Sequence, residues 1–187
     1  MRRGLFALTA IVLLPAFSST ARADEFTIDS VHSGVTFHVS HLDLTYVYGR
    51  FNSFSGDFKI DGGNSAFNMN IKVDSVDTGN KQRDGHLTGG DFFNAKQFSQ
   101  MTFKSTAVKP VEGGYEVTGD FTMHGVTQPI TFTLKGGKEA EFPKGVKRTG
   151  FSTQFTLKRS AYGMDKMVPM IGDEVYVAIG FEGAGKK

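Results

Sequence analysis

A period of two in the placement of apolar residues limits this chain more than any other feature. Val35, Phe37 and Val39 alternate with Thr36, His38 and Ser40, and Phe67, Met69, Ile71 and Val73 alternate with Asn68, Asn70 and Lys72. The pattern returns in Phe103/Ser105/Ala107, Val117/Gly119/Phe121/Met123, Ile130/Phe132/Leu134, Phe151/Thr153/Phe155/Leu157 and Val175/Val177/Ile179/Phe181. Successive side chains of a pleated strand leave opposite faces, so each run has one apolar and one mostly polar face, as half-buried antiparallel strands do. Residues that tolerate positive φ separate the runs: Asp61-Gly62-Gly63-Asn64, Glu112-Gly113-Gly114, His124-Gly125 and Gly136-Gly137. The spacing predicts about eight strands, over 33–40, 46–60 (bent near Gly49 or Gly56), 66–76, 101–109, 114–123, 128–136, 149–159 and 173–182. Eight strands close a small barrel, so the expected fold is all-β, an eight-stranded antiparallel barrel. Alternation stops between Lys81 and Gln100, where Asp91 is expected to cap a short helix carrying Phe92, Phe93, Ala95 and Phe98 over one opening. A second irregular stretch, Tyr162 to Gly172, carries Met164, Met167 and Met170. Flexible thioethers suit either a surface that adapts to an apolar guest or a loop that plugs the core.

A chain of 187 residues with 39% hydrophobic side chains is too apolar for disorder and long enough for one domain with its own core. Arg2 and Arg3, an apolar run from Leu5 to Phe17, and Ala21-Arg22-Ala23 read as a secretory signal peptide over 1–23, cleaved after Ala23. The apolar run falls short of the roughly 20 residues a membrane-spanning helix needs. The expected mature domain is therefore 24–187, exported to a compartment such as the bacterial periplasm. The arginine pair leaves the general and twin-arginine routes both open. Without Arg2, Arg3 and Arg22, 18 basic residues face 19 acidic ones. That balance gives no nucleic-acid footprint. The absence of cysteine rules out a disulfide framework, a thiol nucleophile and a thiolate metal site.

An eight-stranded barrel can turn its apolar face inward around a core or outward into lipid. The chain has no Trp for an interfacial girdle and ends Phe181-Glu182-Gly183-Ala184-Gly185-Lys186-Lys187, which favours the inward arrangement and no stable membrane insertion. The order and spacing of several short segments resemble the YceI-like, or polyisoprenoid-binding, periplasmic proteins. These segments are Phe26-Thr27-Ile28-Asp29-Ser30-Val31-His32-Ser33, Val39-Ser40-His41-Leu42, Gly49-Arg50-Phe51-Asn52-Ser53-Phe54-Ser55-Gly56 and Arg83-Asp84-Gly85-His86-Leu87 with Asp91-Phe92-Phe93-Asn94. Thr102-Phe103-Lys104-Ser105-Thr106, Gly119-Asp120-Phe121-Thr122-Met123-His124-Gly125-Val126-Thr127 and Gly172-Asp173-Glu174-Val175 complete the set. Where that family often has a proline after the early aspartate, this chain has Ser30-Val31. The resemblance implies an eight-stranded lipocalin-like barrel that holds an amphiphilic isoprenoid lipid, a polyprenyl phosphate or a quinone-type molecule, as ligand and not as cofactor.

On that expectation the cavity is lined by inward Phe37, Val39, Phe58, Phe67, Met69, Phe103, Phe121, Phe132, Phe155 and Ile179, with Met164 and Met167 near a mouth. Part of this set is also what any small barrel needs as filler. Arg83 and His86 are head-group candidates beside the opening, and pinning its own loop to a nearby carboxylate or backbone carbonyl is the commoner use of an Arg such as Arg83. No catalytic residue is assigned: Ser, His and Asp occur, but no Gly-x-Ser-x-Gly elbow does. No metal site is expected, because His38 and His41, three apart on a strand, face opposite sides. The expected function is a non-enzymatic carrier with an internal tunnel of several hundred Å3 on the scale of ordinary ligand cavities. The alternative is a filled barrel acting as an interaction module, a partner of a quinone-using membrane redox protein. A homodimer is compatible with either.

Overall fold

The computed structural model describes residues 24–185, so the leader lies outside the described residues. In chain order the strands are β1 (Asp24–Ile28), β2 (Gly34–His41), β3 (Thr45–Phe51), β4 (Phe54–Ile60), β5 (Ala66–Lys72) and β6 (Val76–Asp77). After helix α1 (Lys81–Leu87) come β7 (Gln100–Val111), β8 (Gly114–Met123), β9 (Val126–Glu141), β10 (Lys147–Lys158) and β11 (Ile171–Gly185). All pairings are antiparallel. The ring β1-β4-β5-β7-β8-β9-β10-β11 closes on itself, because β11 pairs with β1 through Gly183–Gly185. Earlier in its length β11 pairs with β2, so β2, β3 and β6 extend the wall on the same register. The closed eight-stranded antiparallel barrel is thus present, and β1, which the alternation reading missed, closes it.

Local chemistry explains where the strands bend. The wall expected over 46–60 breaks at Asn52-Ser53 and not at Gly49 or Gly56. Both glycines stay in strand, where a side chain would collide: a Cβ on Gly49 would lie 2.4 Å from the Phe37 ring, and one on Gly56 would lie 2.3 Å from the Asn68 carbonyl oxygen. Gly136-Gly137 is not a turn either. It sits inside β9, where Thr149 faces Glu139 and Phe151 faces Gly136, so an extra residue is absorbed as a bulge at positive φ. His124 and Gly125, at φ 52° and 75°, do form a two-residue turn between β8 and β9. The helix also differs from expectation. It is α1, capped by Asn80, whose side chain accepts from the backbone N–H groups of Gln82 and Arg83. Gly89-Gly90 precede Asp91 and leave the Asp91–Phe98 segment as turns.

The apolar face points inward. On β10, Phe151 and Thr153 are buried while Ser152, Gln154, Thr156 and Lys158 are exposed. At the end of the barrel marked by β1, Phe26, Phe58, Phe67, Phe151 and Phe181 fill the interior, with Phe26 stacked on Phe58 at 4.9 Å and Phe58 on Phe67 at 5.6 Å. Each buried ring contributes roughly 1.5–3 kcal/mol.

An ion cluster ties the seam where β1, β10 and β11 meet. The Arg148 guanidinium donates to Asp29 Oδ2 at 2.8 Å and to the Glu182 carboxylate, and His32 Nδ1 lies 2.9 Å from Asp29 Oδ2. Asp29 also caps the 3-10 turn Ser30–His32, by accepting from Val31 N–H. The Arg148 guanidinium, with help from His32 and the Val31 N–H, holds the Asp29 carboxyl well below the usual carboxylate range. A depressed native carboxyl stabilises the fold above the unfolded value near 4 and loses that contribution as pH falls toward the native one. Urea titrations of wild type and Arg148→Met should therefore show a stability gap that is widest above about pH 4 and narrows on further acidification. A gap independent of pH would mean that Arg148 acts only through packing.

Candidate functional site

Above the phenylalanine plug the barrel is not solid. Successive rungs toward the other end are Phe151–Phe181, then Thr153–Ile179–Val35, Phe155–Val177–Phe37 and Leu157–Val175–Val39. Two adjoining cavities occupy this half. The deeper one, about 50 Å3, is walled by residues including Phe58, Phe67, Met69, Phe103, Ile130, Phe132 and Thr153. The outer one, about 110 Å3, lies between Val35, Phe37, Val39, Phe51, Met101, Leu157 and Val175 and the covering residues Leu87, Phe92, Phe93, Met164 and Ile171. Ile71, Phe121, Phe155 and Ile179 border both, so these four side chains form the partition. The exposed lining of each is carbon only.

Eleven of the twelve residues expected to line a cavity border one of these two: Phe37, Val39, Phe58, Phe67, Met69, Phe103, Phe121, Phe132, Phe155, Met164 and Ile179. Met167 does not. It sits 38% exposed at φ 62° in the loop before β11, because the left-handed turn directs the chain away from the opening. The volume also corrects the expectation: in place of one tunnel of several hundred Å3 there are two small hollows, since phenylalanine rings meet across the interior. Phe103 lies 5.1 Å from Phe132, and Phe132 stacks on Phe155 at 5.2 Å. Larger open furrows, of about 1470 and 860 Å3, lie on the outer face and are lined by residues such as Thr36, Lys135, Ser152 and Gln154.

The mouth is organised by a residue outside the expected lining and head-group sets. Arg159 continues the inward parity of β10 and is only 4% exposed. Its guanidinium donates to the carbonyls of Gly172 at 2.9 Å, Ile171 at 2.9 Å, Lys166 at 3.0 Å and Met164. Burial pushes its pKa down, opposed by the charges of Asp173 and Asp165. On the far side of the loop Tyr162 is buried edge-on against Phe121, and His124 Nδ1 lies 3.1 Å from the Tyr162 carbonyl oxygen. The 159–172 segment is thus strapped across the outer cavity by one cation. Counting every second residue through Leu157 would have found it.

The two head-group candidates take other places. Arg83 donates to Thr78 Oγ1 at 2.7 Å and the Thr78 carbonyl at 2.8 Å, which pins its loop. His86 is exposed, edge-on to Phe92 at 4.9 Å, and borders the mouth only through that ring. His38 and His41 do not converge: His38 stacks on Tyr176 on the outer face, at 4.8 Å. Among the described residues one His/Asp/Glu group has metal-ligand spacing, Asp29, His32 and Glu182, and the Arg148 guanidinium already bridges its carboxylates. No helix of the described residues is long and apolar enough to cross a membrane.

A closed antiparallel barrel with a carbon-lined half and a strapped mouth is the architecture of a binding protein. The YceI-like domain model matches residues 26–183, and the chain belongs to that family. It is 38% identical over 183 residues to the UPF0312 protein VPA0850 of Vibrio parahaemolyticus, covering 95% of this chain and 94% of that one. It is 35% identical to the protein YceI of Escherichia coli over the full length of both. The crystal structure of Burkholderia cenocepacia BcnA superposes with a TM-score of 0.76 at 26% identity, covering 83% of this chain and 98% of BcnA. A polyisoprenoid binding domain from Saccharophagus degradans, implicated in plant cell wall breakdown, superposes at 0.66, covering 86% of this chain and 98% of that domain. At 18% identity that likeness concerns the fold alone.

If Arg159 is the strap, Arg159→Met leaves four carbonyls without their donor. Its urea unfolding free energy should fall by about 3 kcal/mol, and limited proteolysis should cut first within 163–170. Unchanged stability and an uncut loop would show that the loop is held by other contacts.

Proposed function

We propose that this protein is a non-enzymatic binder or carrier of an amphiphilic isoprenoid lipid, taken into the open half of the barrel through the mouth under the 159–172 loop. The observation that carries the reading is the pair of carbon-lined cavities above the phenylalanine plug. A barrel selected to be solid fills its interior to crystal density. An unfilled 110 Å3 hollow costs about 2–3 kcal/mol. Each methylene that enters repays about 0.8 kcal/mol. The family and the polyisoprenoid-binding neighbour point to the same ligand class.

The free volume sets a condition. The two cavities hold roughly five water-sized groups, about one prenyl unit. A longer chain enters only if the partition of Phe121, Phe155, Ile71 and Ile179 rotates aside and the strap lifts. The signal-peptide reading of 1–23 supports the periplasm as the compartment of this exchange, with a membrane as donor or acceptor. The small volume is also what a filled barrel acting as an interaction module would have, and the same experiment separates the two.

Protein purified without detergent from several hosts should yield isoprenoid lipid on solvent extraction and mass spectrometry. Phe103→Arg, folded by circular dichroism, should lose it. Val39→Phe, which fills the outer cavity without adding charge, should lower recovery several-fold. Lipid-free protein from every host would favour the filled-barrel module, and normal loading of both variants would move the site elsewhere.

A further inference from the structure

Thr153 Oγ1 is the one fully buried side-chain nitrogen or oxygen without a hydrogen bond among the described residues. Thr153 is 6% exposed and has the inward parity of β10, opposite Ile179. It stands in the wall of the deeper cavity, one rung above the Phe151–Phe181 plug and two rungs below Leu157, with its oxygen covered until the surrounding rings part to admit a ligand. Four residues of strand put it roughly 13 Å inside the mouth rung. A buried hydroxyl left unpaired is costly, and valine has the same shape without the oxygen. The inward neighbours on either side along the strand, Phe151 and Phe155, are apolar, and the other buried polar residues of that parity, Thr149 and Arg159, lie two rungs or more away.

Resting on the isoprenoid-binding reading, we infer that Thr153 receives the polar end of the ligand, which enters head first and is electrically neutral, a hydroxyl or a carbonyl. The wall around Thr153 has no cation. The only acid bordering it, Asp57, turns its carboxylate outward to Asn68, so a phosphate brought to Thr153 would be desolvated with nothing to neutralise it. The nearest buried cation, Arg159, sits at the other cavity with four carbonyls already on its donors. A neutral oxygen needs only one partner, and the Thr153 hydroxyl can donate to a carbonyl or accept from an alcohol. The branched hydrocarbon then fills the path from the floor to the mouth. The inference selects the quinone- or prenol-type end over the phosphorylated one.

The test compares phytol, phytane and phytyl phosphate, which share one branched C20 skeleton with a hydroxyl, no polar group and a charged end. Each displaces N-phenyl-1-naphthylamine from wild type, Thr153→Val and Thr153→Ser. Probe solubility is common to all three proteins, so the change in preference between proteins reports the site alone. The preference for phytol over phytane should fall about 10-fold in Thr153→Val and survive in Thr153→Ser. Phytyl phosphate should bind wild type more weakly than phytol, and ligand-free Thr153→Val should melt above wild type. An unchanged phytol preference in Thr153→Val, or tighter binding of the phosphate, overturns the head-first placement and leaves the isoprenoid reading standing. Failure of all three probes to bind folded wild type overturns both.

Discussion

The pairing of β11 with β10 on one flank and with β2 and then β1 on the other keeps water from the inward side chains. An antiparallel sheet with one apolar face has either to pack that face against something or to curl around it, and here the wall curls until no edge remains in the ring. Closure needs a strand long enough to serve two partners in succession, which β11 supplies with 15 residues. It also needs small residues where walls converge. At Gly183 a Cβ would stand 2.4 Å from the Phe58 ring, so glycine there allows the plug and the seam to occupy the same end. The Arg148, Asp29 and Glu182 cluster lies outside that glycine and adds a polar fastening to the joint made by β1.

From that closure follows the division of the interior. Phenylalanines gather at the closed end because cross-strand partners there are themselves aromatic, Phe26 with Phe58, Phe58 with Phe67 and Phe151 with Phe181. Toward the mouth the partners become aliphatic, as in Val39 with Val175 and Leu157 with Val175, and the smaller side chains leave space. Function is thereby confined to one half, and the covering elements on that half have the fewest strand pairings: α1, the turns through Phe93 and the 159–172 loop. Elements held by few cooperative contacts are those that open at low cost. Arg159 sets how far that freedom extends.

Much of this was legible in the residues. Alternation located the strands of the ring other than β1, whose five residues are too short a run to stand out, and its parity named eleven residues that border the cavities. Where the reading failed, a tertiary contact overrode a local cue. Gly136-Gly137 has turn chemistry yet serves as a bulge because β10 continues beside it. Asp91 can cap a helix, but the N–H groups of Phe93 and Asn94 that it would cap go to the carbonyls of Leu87 and Gly89. Arg83 has the charge for a phosphate and spends it on Thr78.

The sequence alone determined that the chain is all-β, because a period of two over so many segments marks half-buried antiparallel strands, and the number of those strands pointed to a barrel. It also carried the family, through short segments in a common order. Only the tertiary structure decided how much of that interior is empty, which cation straps the mouth and which hydroxyl is stranded at the floor. Side-chain parity states which way a residue points, whereas free volume and hydrogen-bond partners depend on what arrives from the opposite wall, tens of residues away in the chain.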